Sequence, residues 1–304
     1  MIKRTIEISQ EAVHLAIELD QLRLLRQKPA QGLLASIPCE DIGMLVVDNP
    51  HTTFSQTALV RLIENGAAVV VCGRNHLPAG LLLPLSDHTE VVWRLHDQIA
   101  VPRPLRKRLW KQLIIAKIRG QAANLPSAAR FRQRLLKLTR EVKSGDSANI
   151  EAQAAKLYWA EWLGEGSDFH RDPSGADYLN AMLNYGYAVV RAAVARALVS
   201  AGLHPALGLM HRNRSNSFCL ADDLLEPFRP MVDRAVRGLH HEGKRELNRD
   251  SKKELLALLT STVRVKDQSG PFMVALHHFA ASLVRCFQGT EEKLDIPDWR
   301  EQTG

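Results

Sequence analysis

Over the first 83 residues, short runs of Val, Ile and Leu alternate with polar positions, and from about residue 90 the apolar positions change to helical spacing. Segments 4–8, 13–19, 23–26, 32–37 and 44–47 predict strands, because alternate side chains of an extended chain face opposite ways. One helix interrupts them: Ser55 or Thr53 can cap a run in which Leu59, Leu62 and Ile63 share a face, and Asn65-Gly66 supplies a left-handed stop. A buried strand follows at 68–72. Residues 76–88, with Pro78, Gly80 and Pro84, predict a connector. Helices are expected near 104–122, 128–143, 149–163, 176–201, 219–242, 251–260 and 271–288, with a polar, poorly ordered tail after Gln288. The expected fold class is α+β, with a small N-terminal β-rich domain over 1–83 and a mainly α-helical domain over 84–304.

Hydrophobic residues make up 45% of the 304 and charged residues 24%, the balance of a chain that buries a core. Apolar stretches are too short to cross a bilayer, the N-terminus lacks a signal-peptide pattern, and Cys39, Cys72, Cys219 and Cys286 stand apart with no zinc or redox spacing. A cytoplasmic location with no membrane role is expected. Net charge is +7, a mild hint of an anionic partner, but its distribution is uneven. Residues 101–143 hold 13 Lys and Arg against the single acid Glu141. Such density costs stability by repulsion, and a phosphate backbone that releases counterions on docking would justify it. A solvated basic helix face is the plainer alternative.

Three short motifs carry possible chemistry. Glu151 stands in the first turn of a helix, where capping alone would favour a carboxylate, but the small residues after it permit close packing over an interior crevice. His211 follows a turn bounded by Pro205 and Gly208, a position that suits a surface histidine as well as a ligand. Asp223 and Glu226, three residues apart on one helical face, form either a capping box before Pro227 or a pair aimed at one cation. Two carboxylates with an imidazole suit Mn²⁺ or Mg²⁺ better than thiol-selecting metals.

Taken in order, these pieces resemble the CRISPR-associated integrase family, the large universal subunit of the spacer-acquisition machinery. The likeness spans essentially the whole chain. It is carried by 42–80 (with Glu64-Asn65-Gly66-Ala67 and Leu77-Pro78-Ala79-Gly80), Glu151 within 150–155, Leu183-Asn184-Tyr185-Gly186-Tyr187-Ala188, the stretch 205–211 and the stretch 220–230. The spelling of the last stretch and the chain's length look most like the type II-C systems.

The resemblance implies that the helical domain is catalytic and that Glu151, His211 and Glu226 hold Mg²⁺ or Mn²⁺. It places Asp223 behind these ligands or as an occasional ligand itself, with Asn180 and Tyr187 lining the same pocket. The implied activity is metal-dependent insertion of spacer DNA into the CRISPR array by transesterification, with cutting of branched DNA as its reverse. Arg103, Arg106, Lys107, Arg108 and Lys111 would hold phosphates of double-stranded or branched DNA, together with Arg130, Arg132, Arg134, Lys137 and Arg140, and with Arg212, Arg214 and Arg229 near the site. Implied partners are a second copy, forming a homodimer through the β-domain, the small ferredoxin-like adaptation protein of a heterohexamer, and the type II effector nuclease. Two rival functions fit the same residues: a non-catalytic DNA-binding scaffold, and a repair nuclease that cuts branched DNA.

Overall fold

The computed structural model describes residues 3–27, 32–84, 88–164, 167–175 and 177–300. Its N-terminal part contains β1 (Arg4–Ile8), β2 (Val13–Glu18), β3 (Gln21–Arg26), β4 (Gly32–Pro38), β5 (Ile42–Val47), β6 (Thr53–Phe54), α1 (Gln56–Glu64), β7 (Ala68–Cys72) and β8 (Pro78–Leu82). Ser55 caps α1 by accepting from the Ala58 amide, and Gly66, at φ +68°, takes the left-handed turn that ends it. Two four-stranded sheets result. One is ordered β4-β3-β2-β6; the other is ordered β1-β5-β7-β8, with β1, β5 and β7 parallel and β8 antiparallel.

Every residue of β5 is buried, so its alternating side chains divide between two cores. Leu45 and Val47 join Leu15, Leu22 and Leu62 on one face, whereas Met44 and Val46 pack into the core built by the helices. The sheet thereby becomes a wall of the helical part. The expected connector over 76–88 is corrected at Pro78–Leu82, which forms β8; a strand starting at proline is tolerated there because β8 lies at the sheet edge. Residues 85–87 of that stretch lie outside the described residues.

The helical part comprises α2 (Val91–Ala100), α3 (Arg103–Asn124), α4 (Arg132–Glu141), α5 (Ile150–Trp159), α6 (Tyr178–Ser200), α7 (Cys219–Leu225), α8 (Arg229–His241) and α9 (Arg249–Ala257). It ends with β9 (Thr262–Val265), β10 (Gln268–Pro271) and α10 (Phe272–Phe287), so an antiparallel hairpin joins the helices. Residue 176, where the α6 helix is expected to begin, lies outside the described residues. The single helix expected over 219–242 is broken by a 3-10 turn at Glu226–Phe228, where Pro227 and Pro230 have no amide to donate to a helical ladder. The tail is also corrected. Asp298 pairs with Arg264 across an isolated bridge, and the buried Trp299 indole donates to the Pro227 carbonyl at 3.2 Å, so residues up to 300 close over the start of α8.

Candidate functional site

α3 has two faces with different chemistry. Leu109, Leu113, Ile114, Lys117, Ile118 and Gln121 fall on its buried stripe, while Arg103, Arg108 and Arg119 are exposed. Lys117 is therefore a cation placed on an apolar stripe. Its Nζ lies 2.5 Å from Glu151 Oε1 and 2.5 Å from Glu226 Oε2, so the two carboxylates are brought within about 5 Å of each other.

Each carboxylate is held there by local chain geometry. Asn149 takes a left-handed conformation at φ 52°, and the Asp146 carboxylate accepts from the amides of Ile150 and Glu151, both at 2.9 Å. Asp146 thus performs the capping that could have explained Glu151, whose side chain is turned to Lys117 instead. Glu226 occupies the 3-10 turn after α7, is 3% exposed, and also accepts from Arg229 Nε at 2.8 Å through Oε1. A capping box over Asp223 and Glu226 is not formed, because both stand at the end of α7. Burial alone would raise the Glu226 carboxyl, but Arg229 and Lys117 together pull it down to about 2. Lys117 is raised: burial opposes its charge, and Glu226 and Glu151 outweigh that.

His211 is positioned by Asp223, which is fully buried. One carboxylate oxygen accepts from the amides of Leu209 (2.5 Å) and Met210 (3.1 Å); the other accepts from the His211 amide (3.2 Å) and meets its Nδ1 at 2.7 Å. Gly208 is required beside this contact, since a Cβ there would fall 2.5 Å from the His211 carbonyl oxygen and 2.9 Å from Asp223 Oδ2. The buried Gln98 of α2 ties down the preceding residues, donating to the carbonyls of His204 and Leu207 and accepting from the His204 amide. The Trp110 ring meets the imidazole edge-on at 5.6 Å. Asp223 raises the His211 pKa through this hydrogen bond, against the opposing effect of burial.

Glu151 and Glu226 therefore converge on one cation, with His211 turned onto Asp223. Among the described residues, no three His, Cys, Asp or Glu side chains meet closely enough to share one ion as they stand. The donor set fits a hard divalent cation in type and charge, because the two carboxylates already grip a cation, the Lys117 ammonium.

The other expected site residues divide into groups. Tyr187 donates to the buried Asp233, and its ring carries the Arg229 guanidinium at 4.7 Å, which links it to the Glu226 contact. Asn180 is spent on the residues just before α6: its oxygen accepts from Arg171 and the Asp172 amide, and its nitrogen donates to His170 and Asp177. Arg229, expected to contact phosphate, is engaged with Glu226. Arg106 closes the end of α2 by donating to the carbonyls of Gln98 and Ile99, and Arg134 pairs with Glu141. Arg103, Arg108, Arg130, Lys137, Arg140, Arg212 and Arg214 are exposed, with Lys107, Lys111 and Arg132 partly so. Arg108, Lys111 and Arg119 line a groove of about 660 Å³ that reaches Pro227, next to Glu226. Lys117 is the site residue that the charge count concealed; its position on the apolar stripe of α3 was the available signal.

Sequence comparisons point to one family, and structure comparisons to one fold. The profile described as CRISPR associated protein Cas1 matches residues 7–266. The CRISPR-associated endonuclease Cas1 of Neisseria meningitidis serogroup C (strain 8013) is 37% identical over 270 residues, covering 88% of this chain and 87% of its own. The fold is similar to that of a casposase bound to integration product, with a TM-score of 0.80 at 20% identity over 99% of this chain and 96% of the casposase. It is also similar to a chain of a Cas6-RT-Cas1–Cas2 complex, with a TM-score of 0.74 at 17% identity over 99% of this chain and 36% of that one.

Proposed function

The chain belongs to the CRISPR associated protein Cas1 family, and from that premise we propose that it is a DNA endonuclease and integrase of spacer acquisition. It joins a DNA 3′ end to a strand of the CRISPR array by transesterification, and the reverse reaction cuts branched DNA. The convergence of Glu151 and Glu226, distant in sequence, on one cation carries the reading. The endonuclease name of the Neisseria relative and the likeness in fold to a casposase bound to integration product support it.

Glu151, Glu226 and His211 are the residues that would hold Mg²⁺ or Mn²⁺. Bound there, the ion would supply Lewis-acid polarisation of a scissile phosphate and would offset charge building on its oxygens during attack by a 3′-hydroxyl. The protein's own part is orientation. Asp223 fixes the imidazole through Nδ1 and leaves Nε2 on the opposite side of the ring as the ligating atom. Arg229, braced on the Tyr187 ring, keeps one Glu226 oxygen in place, and Arg229 and Lys117 together keep the Glu226 carboxyl ionised. Arg108 and Lys111 in their groove would position the DNA backbone without reading bases.

For partners, we propose a second copy paired through the β-domain, where Leu33 and Leu34 of the edge strand β4 are exposed. We further propose the small ferredoxin-like adaptation protein, in keeping with the Cas6-RT-Cas1–Cas2 complex to which one structural neighbour belongs, and the type II effector nuclease during spacer capture. No helix among the described residues is long and apolar enough to cross a membrane, and a cytoplasmic site of action is part of the same proposal. The test is a gel assay of the purified chain with branched DNA and Mn²⁺, beside Glu151→Ala. Strands joined into longer products, lost in the variant while DNA affinity remains, are the expected result. Products that are only shortened would point to the repair nuclease, and binding with no change in the DNA to the scaffold.

A further inference from the structure

The inference concerns Lys117 and rests on the reading of Glu151 and Glu226 as the cation-holding pair. Its ammonium meets one oxygen of each at 2.5 Å, and its side chain is only 11% exposed. Leu113, Ile114 and Ile118 are buried on the same face of α3, so the charge stands on an otherwise apolar stripe. Arg229 holds the other oxygen of Glu226 and is braced on Tyr187. Lys117 and Arg229 balance Glu151 and Glu226, which makes the group electroneutral as it stands.

We propose that Lys117 is a positioning residue, the resident counter-cation that keeps Glu151 and Glu226 close until a divalent ion takes its place. With no cation between them, the buried Glu226 carboxylate and the partly exposed Glu151 carboxylate would repel. The ammonium prevents this. A divalent ion drawn to the pair must use oxygens that Lys117 already occupies, so ion and ammonium compete for the same position. A lysine suits this exchange because it is a single point charge on a flexible stem, whereas the planar fork of an arginine locks onto a carboxylate through two bonds. Metal affinity is thereby lowered on purpose, and the site survives intact between ions.

The test uses the full chain and Mn²⁺ alone, with affinity read by calorimetry and melting temperature read in EDTA and in Mn²⁺. Lys117→Met keeps the length and packing of the stem without its charge; Lys117→Gln, with a polar end, decides the matter should the first variant fail to fold. Both should bind Mn²⁺ at least tenfold more tightly than the unaltered chain. They should also melt lower than it in EDTA and gain more from Mn²⁺, a crossover that a purely structural lysine would not produce. Equal or weaker Mn²⁺ affinity in the folded variants, with binding still lost in Glu151→Ala, overturns the role of Lys117 and leaves the cation-holding pair standing. Mn²⁺ binding by none of these proteins, even with branched DNA added, overturns the pair and this proposal together.

Discussion

Asp223 holds His211 twice, accepting its backbone amide at 3.2 Å and meeting its ring Nδ1 at 2.7 Å, from a position with no exposure to solvent. The same carboxylate accepts from the Leu209 and Met210 amides, so one side chain organises the loop and the imidazole at once. Asp223→Ala would leave these donors without partners and is expected to cost about 2–4 kcal/mol, with branched-DNA cutting lost while DNA affinity persists. Asp223→Asn should be milder in stability but should lower the His211 pKa, which Asp223 holds above its ordinary value. Urea unfolding and an NMR titration of the imidazole read the two effects. An unchanged His211 titration in Asp223→Asn would show that the carboxylate does not govern the ring.

Glu151 and Glu226 share Lys117 but differ in their surroundings. The Glu226 side chain is 4% exposed and faces two cations, whereas that of Glu151 is 27% exposed and faces one. Glu226→Ala leaves the buried Lys117 and the partly exposed Arg229 without their common anion, at a cost of about 3–5 kcal/mol. Glu151→Ala should cost roughly 1 kcal/mol, because solvent screens the vacancy. The comparison is made by urea midpoints with the slope held common. Equal losses in the two variants would mean that Glu226 is not the anchor of the cluster.

Much of this arrangement was legible before the structure. Strands β1 to β5 followed from alternation, and Ser55 and Asn65-Gly66 bounded α1, since strand pairing and capping depend on neighbours close in sequence. α2 escaped because its pattern is inverted. Val92, Trp93 and Ile99 point outward, while the buried residue is Gln98, whose partners are carbonyls more than a hundred residues away. The break at Glu226 was signalled by Pro227, which reads equally well as the start of a helix. Lys117 was hidden by the count of positive charge over 101–143, which registers that a cation is present and not which face of α3 it occupies.

Asp233 makes stability depend on pH. It is 1% exposed, and burial pushes its carboxyl up to about 7, although hydrogen bonds from Tyr187 and Tyr158 and the nearby Arg229 and Lys117 oppose the rise. In the unfolded chain the group ionises near the ordinary aspartate value of 3.8. Between these values the folded protein binds the extra proton, so stability is greatest below the lower value and falls as pH rises toward 7, levelling off above it. Relative to Asp233→Asn, which cannot ionise, the unaltered chain should lose on the order of 2–4 kcal/mol between pH 4 and pH 8. Urea unfolding of both proteins across that range measures the difference, in which other titrating groups cancel. A flat difference would show that Asp233 stays ionised in the folded protein.

The basic residues of α3 separate into those that can serve DNA and those already engaged. Arg108 and Lys111 line the groove that reaches Pro227, whereas Arg106 donates to the carbonyls closing α2. Each phosphate contact removed lowers the slope of log affinity against log salt by about 0.9 for duplex DNA. Arg108→Gln and Lys111→Gln should each reduce the slope by about that amount, weaken binding evenly across sequences and leave the melting temperature nearly unchanged. Arg106→Gln should do the reverse, lowering the melting temperature with little change in slope. Fluorescence anisotropy at several salt concentrations separates the cases. A slope that falls in Arg106→Gln and holds in the other two would move the DNA path from the groove to the α2 end of α3.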